Sequence, residues 1–170
     1  MYNIAIMIIL GVDPGTRITG YGIIKNNNNS HELLDFGCIR PPQKLSPAEC
    51  YLFIFNGIDH LLEAFRPDAV SVETQFFHKN VQSVLKLGMA KASVLIAAAR
   101  RGIPVHEYAP RKAKLAVVGN GAASKSQVQK MIQLLLRLPT LPEPEDAADA
   151  LALAICHAHQ ERNYARIHQR

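Results

Sequence analysis

Four acidic residues stand where the pattern of their neighbours makes a carboxylate expensive. Asp13 closes an apolar run, residues 6–12, broken only by Gly11, and the turn pair Pro14-Gly15 follows it. Such a run reads as a strand buried on both faces, so Asp13 sits at the tip of a central strand, where a charge is costly unless a cation is bound. Glu73 closes a second short strand, residues 69–73, in the same way. Asp146 and Asp149 are three apart, which puts both carboxylates on one face of a helix. Taken alone, that pair has a plainer explanation, because acids in a first helical turn gain about 0.3–1 kcal/mol each from the helix dipole. The flanking Ala147, Ala148 and Ala150, however, let the helix approach a sheet closely and bury the acids. Together the four offer hard oxygen ligands suited to Mg²⁺ or Mn²⁺. Two such ions about 3.5–4 Å apart activate a water and stabilise a leaving oxygen in phosphodiester hydrolysis.

Elements that would position these acids follow in order. After the first strand, residues 19–25 and 32–39 are short strands joined by Asn26-Asn27-Asn28-Asn29-Ser30, a hairpin turn because asparagine tolerates positive φ. Connections this short make the first three strands antiparallel neighbours. Ser46-Pro47-Ala48-Glu49 opens a helix with an N-cap serine, a proline at the first position and a capping box. Ile54, Ile58, Leu61, Leu62 and Phe65 repeat at helical spacing until Pro67. An alanine-rich helix is predicted over 80–101 with Gly102 as its stop, a fifth strand over 103–108, and a short helix over 112–118. Ser124-Lys125-Ser126-Gln127 opens another helix through a second capping box, and residues 145–160 form a closing helix. The order β-β-β-α-β-α-β-α-α-α implies one α/β domain, residues 1–170. Its five-stranded mixed sheet would carry helices on both faces, with a mobile tail from about residue 161.

Composition narrows the partners. A chain of 170 residues builds a core without disulfide staples, and Cys38, Cys50 and Cys156 are odd in number and widely spaced, so a reduced, cytoplasmic setting is expected. No apolar run approaches the roughly 20 residues of a membrane span, and the first ten residues read as a strand, without the basic region of a signal peptide. A net charge of +5 and pI near 9.2 make polyanions plausible partners.

With these motifs in place the sequence resembles the RuvC family of Holliday junction resolvases, within the ribonuclease H-like superfamily. The resemblance is carried by Leu10-Gly11-Val12-Asp13-Pro14-Gly15-Thr16-Arg17-Ile18-Thr19-Gly20-Tyr21-Gly22, by Val72-Glu73 with Lys79-Asn80 and Leu85-Lys86-Leu87-Gly88, by Val117-Val118-Gly119 with Lys125-Ser126-Gln127-Val128, and by Asp146-Ala147-Ala148-Asp149-Ala150-Leu151-Ala152. It spans residues 8–159 in the family's order. It implies a ribonuclease H-like fold and a divalent-metal endonuclease, using Mg²⁺ or Mn²⁺ and two ions per site. Such an enzyme acts as a homodimer that nicks two strands of a four-way DNA junction symmetrically, leaving 5′-phosphate and 3′-hydroxyl ends. Asp13, Glu73, Asp146 and Asp149 match the family's catalytic, metal-binding acids. Phe76 matches a base-stacking position, Lys114 and Lys125 match backbone-contacting lysines, and the branch-migration proteins RuvA and RuvB are the implied partners.

The residues themselves say less about DNA. Phe76-Phe77-His78-Lys79 puts two aromatics and the cation Lys79 just after Glu73, and aromatics there can stack on unpaired bases for about 1–3 kcal/mol each. An exposed lysine at 114 or 125 is also the default state of that residue. The seven histidines show no metal-ligand spacing: His157 and His159 project from different faces of the closing helix, and His31, His60, His78, His106 and His168 fall in unrelated elements. Two other functions compete. Asp13-Pro14-Gly15-Thr16 also resembles the phosphate loop of actin and sugar kinases, but those chains need two such halves. A junction-binding module without catalysis would keep the fold and be indifferent to chelation.

Overall fold

Alternation along the first strand decides the architecture. A computed structural model of the chain describes residues 6–27, 30–74 and 80–168. Phe76, Phe77, His78 and Lys79 lie outside the described residues, as does Arg170. Five strands, β1 (Met7–Asp13), β2 (Thr19–Asn27), β3 (Ser30–Ile39), β4 (Ala69–Glu73) and β5 (Val105–Tyr108), form one sheet in the order β3-β2-β1-β4-β5. β1 pairs antiparallel with β2, and β2 with β3; β1 to β4 and β4 to β5 are parallel. This is the expected mixed sheet with its first three strands antiparallel.

Because successive side chains on a strand point to opposite faces, a strand apolar at every position has to be covered on both sides. Leu10 and Val12 of β1 and Ile23 of β2 pack against α1 (Pro47–Phe65) and α2 (Val81–Arg100). Ile9 and Ile24 face the other way, into a core built with α3 (Pro110–Val118), α4 (Lys125–Leu135) and α5 (Glu145–His168).

Local chemistry sets the helix ends as the sequence predicts. Ser46 Oγ accepts the Glu49 N–H while Glu49 Oε2 accepts the Ser46 N–H at 2.8 Å, and Ser124 with Gln127 repeats the box. Gly102, at φ +66, follows the end of α2. β2 runs on to Asn27 and β3 starts at Ser30, two residues further than expected on each side of the hairpin turn, and two helices differ as well. α5 does not stop at residue 160 but continues as helix to His168, since no glycine or proline follows Pro144 to break it. Helical backbone therefore runs through most of the stretch expected to be a mobile tail, Arg162 included. α2 is long and apolar enough, by length and composition, to match a membrane span. Lys86 and Lys91 interrupt its apolar runs, and Ala90, Val94, Ala97 and Ala98 pack it against the α1 side of the core.

α5 lies against the centre of the sheet because the strands leave room for its backbone. A Cβ on Gly11 would collide with the Ala150 carbonyl, and one on Gly20 with the Asp146 carbonyl. The buried Ser71 hydroxyl then donates to the Leu153 carbonyl at 2.7 Å, tying β4 to the middle of α5.

Candidate active site at the sheet end

Strand register brings the first two acids together. Val12 is paired with Val72 in the parallel β1–β4 ladder, so the next residues, Asp13 and Glu73, end adjacent strands side by side. Asp13 follows Gly11 by two positions and Glu73 follows Ser71 by two, and Gly11 and Ser71 both touch α5, so both carboxylates are on the α5 face. Across the other edge of β1, Asp13 is paired with Gly20, against which the Asp146 carbonyl rests. The start of α5 is thereby set beside the end of β1, with Asp149 one turn further along. The turn after Asp13 is held by Thr19, whose hydroxyl donates to the Gly15 carbonyl at 2.8 Å and accepts the Gly15 N–H at 3.2 Å.

The electrostatics record how close the four acids are. Burial, followed by the charges of Glu73, Asp149 and Asp146, raises the Asp13 carboxyl to about 7, with Lys125 opposing. Glu73 is raised by burial and by Asp149, against the pull of Lys125 and Lys114. Asp149 is raised by burial, and its acidic neighbours Asp146 and Glu145 add to the rise against Lys125 and Lys114. Asp13, Glu73 and Asp149 are desolvated together and repel, and the charge of Asp146 adds to the field on Asp13 and Asp149. A divalent cation would relieve both costs, and the all-oxygen donor set suits a hard ion. Among the described residues no three such side chains converge into a ready-made cage.

Lys114 and Lys125, matched in sequence to DNA-backbone contacts, both lie near the acids. Lys125, the first residue of α4, places its ammonium 3.7 Å from Asp149 Oδ2 and 3.0 Å from Glu145 Oε2. Lys114 of α3 is near enough to Glu73 and Asp149 to lower both. The aromatic and cationic positions Phe76 and Lys79 belong to the segment outside the described residues.

Sequence reasoning missed two neighbours of the site. Glu145 holds Lys125, although in sequence it reads only as another acid at a helix start. Cys38 is opposite Gly20 in the β2–β3 ladder and takes a hydrogen bond from the Ala147 backbone, within the fields of Asp146 and Asp13. Only the strand register reveals it. Burial raises its thiol, so it stays protonated beside the acids.

Known proteins share this sequence and fold. The family model described as crossover junction endodeoxyribonuclease RuvC matches residues 9–157. The chain is 59% identical over 152 residues to the crossover junction endodeoxyribonuclease RuvC of Protochlamydia amoebophila, covering 89% of this chain and 90% of the relative. It is 44% identical over 156 residues to that of Ruminiclostridium cellulolyticum, covering 92% and 94%. Among solved structures, Thermus thermophilus RuvC in complex with Holliday junction substrate superposes with a TM-score of 0.89 at 34% identity, over 94% of this chain and 97% of that one. A match over nearly the whole length, in both sequence and fold, makes this chain a member of the RuvC family of crossover junction endodeoxyribonucleases.

Proposed function

We propose that this chain is a crossover junction endodeoxyribonuclease that resolves four-way (Holliday) DNA junctions by metal-dependent hydrolysis of phosphodiester bonds, with Asp13, Glu73, Asp146 and Asp149 as the metal-binding catalytic acids. The observation that carries the reading is the strand register that ends β1 and β4 side by side at Asp13 and Glu73, with the start of α5 near enough for Asp146 and Asp149 to act on Asp13. Fold and family support the reaction class.

When bound, Mg²⁺, or Mn²⁺ in its place, would supply an activated water and a charge against the leaving oxygen, two ions dividing these tasks. Strand ladders set the backbone of Asp13 and Glu73, and the start of α5 sets that of Asp146 and Asp149. Lys114 and Lys125, already drawn towards the acids, orient the scissile phosphate from the α3 and α4 side. Hydrolysis that breaks the bond between phosphorus and the 3′ oxygen leaves 5′-phosphate and 3′-hydroxyl ends. Phe76 and Lys79, which follow Glu73 closely in sequence, are assigned to the opened junction on the strength of the family pattern.

A four-way junction has two equivalent strands to cut, and the proposed homodimer offers one acid cluster to each. Support comes from α2. Val81, Leu85, Met89 and Ile96 are each more than half exposed and lie along one stripe, opposite the face that packs on α1. A helix apolar on both sides, in a chain whose substrate is two-fold, favours a second copy on that stripe. Junction DNA, RuvA and RuvB complete the proposed partners, in the cytoplasm.

The kinase alternative loses its ground because the sequence matches a nuclease family over residues 9–157 and the fold matches a member of that family. The family match to named endodeoxyribonucleases speaks against the non-catalytic binder. A synthetic four-way junction and a linear duplex, each with and without Mg²⁺, decide the question. The expected result is cutting of the junction alone, dependent on metal and abolished by Asp13→Asn or Glu73→Gln, with junction binding retained. Wild-type cutting by either variant would overturn the assignment.

A further inference from the structure

A second polar cluster lies at the opposite end of the sheet from the acids. The β2–β3 hairpin, the end of α4 and the last turns of α5 enclose a cavity of about 730 Å³ whose lining includes Asn27, His31, Glu32, His159 and Arg162. Nothing in the spacing of the chain associates His31 with His159, yet their Nε2 atoms are 3.4 Å apart.

That distance is informative. Zinc bound to imidazole at 2.0–2.1 Å in tetrahedral geometry separates its ligand nitrogens by roughly 3.3–3.4 Å. The rings also present the right atoms. A backbone hydrogen bond with Ala116 acts on the His159 ring, whose Nε2 faces that of His31; a proton held on Nδ1 would leave the Nε2 lone pair free for an ion. A backbone carbonyl commonly holds a ligating histidine in its tautomer. Two buried polar atoms without partners, His31 Nδ1 and Asn27 Oδ1, belong to residues of the same cavity lining, and once His31 binds through Nε2 its Nδ1–H becomes a donor of the kind Asn27 Oδ1 lacks.

We propose that His31 and His159 form a binding site for a borderline-soft divalent transition ion of the zinc class, with solvent completing the coordination and the ion clipping the β2–β3 hairpin to the end of α5. Burial lowers both imidazoles, His31 to about 4, so the ligating neutral form is present at neutral pH. Arg162, whose charge lowers both rings, works against a dication, while Glu32 in the lining works for it. The site is distinct from the carboxylate cluster in position and in donor chemistry, nitrogen here and oxygen there.

The test uses the full chain in saturating Mg²⁺, which occupies the carboxylates, and titrates Zn²⁺ by calorimetry and Co²⁺ by absorption. Expected are one tight Zn²⁺ equivalent, intense tetrahedral Co²⁺ bands, and at least about a tenfold loss of affinity in His31→Asn and His159→Asn. Arg162→Gln is expected to tighten binding several-fold, an effect that a purely structural histidine contact does not predict. Junction cleavage by His31→Asn in Mg²⁺ should match the wild type, which also shows that the variant folds. Tetrahedral bands missing from the wild type, Zn²⁺ affinity unchanged in both histidine variants, or weaker binding in Arg162→Gln would each overturn the proposal.

Discussion

At the scale of single residues, Asp13 links stability to pH. Its carboxyl is raised from 3.8 to about 7 in the fold, so between those values the folded chain holds a proton that the unfolded chain has released. Stability from this group is complete below about pH 4 and is lost as pH rises through 7. A tenfold change in proton affinity corresponds to about 1.36 kcal/mol, and relaxation around a half-buried site leaves a fraction of the full figure, about 1–2 kcal/mol. Asp13→Asn removes the titrating group and most of the repulsion from Glu73, Asp149 and Asp146. Without divalent metal at pH 8, the variant should therefore melt a few degrees above the wild type, and the difference should vanish at pH 4. Adding Mg²⁺ at pH 8 should raise the wild-type melting temperature more than the variant's if the proposed carboxylates hold the ion, since a ligand that binds only the native state stabilises it. Thermal melts at the two pH values, with and without Mg²⁺, check each part. A variant less stable than wild type at pH 8 without metal would mean that Asp13 contributes packing rather than strain.

At the scale of elements, the placement of α5 is what turns four scattered acids into a cluster. Its approach depends on hydrogen in place of a side chain at Gly11 and Gly20 and on the Ser71 hydroxyl. Gly11→Ala is expected to push α5 off the sheet at a cost of about 1–3 kcal/mol, the usual range for overpacking a tight contact. It should weaken Mg²⁺ binding as well, since Asp146 and Asp149 move with the helix. Ser71→Ala leaves the acids in place and loses one hydrogen bond, about 0.5–1.5 kcal/mol, with Mg²⁺ affinity near wild type. Denaturant melts paired with Mg²⁺ titrations separate the two; equal Mg²⁺ affinity in Gly11→Ala and the wild type would show that α5 tolerates the change. The sequence reveals these elements unevenly. Capping boxes at Ser46 and Ser124 and strand ends at Asp13 and Glu73 are local signals, and each of these elements forms where expected. That Gly11 and Gly20 face the same helix is a matter of register between strands, which no local pattern carries. The His31–His159 contact spans the fold from β3 to α5, and single-residue spacing rules are blind to it. The end of α5 escapes a sequence reading because a polar, basic tail resembles disorder in composition even where nothing stops the helix.

At the scale of the whole molecule, the distribution of apolar surface bears on how two cuts are coordinated. α1 and the sheet account for one face of α2, through Ala90, Val94, Ala97 and Ala98, but leave Val81, Leu85, Met89 and Ile96 in solvent. An exposed row of that kind costs solubility unless another surface covers it, and a two-fold substrate gives the second copy a use. Leu85 is 63% exposed in the single chain, so Leu85→Glu should fold normally and keep the Mg²⁺-dependent rise in melting temperature that reports an intact acid cluster. Buried across a two-fold axis, however, the new carboxylate would face its own symmetry mate in an apolar seam, where unpaired charges are destabilising by several kcal/mol. Sedimentation should then give the mass of two chains for the wild type and one for Leu85→Glu. On junction DNA the variant should lose paired nicking at concentrations where the wild type cuts both strands, because each bound chain acts alone. A wild type that sediments as one chain, or a Leu85→Glu that retains both the two-chain mass and the paired cuts, would remove the α2 stripe from the interface and require a different surface to set the spacing of the two acid clusters.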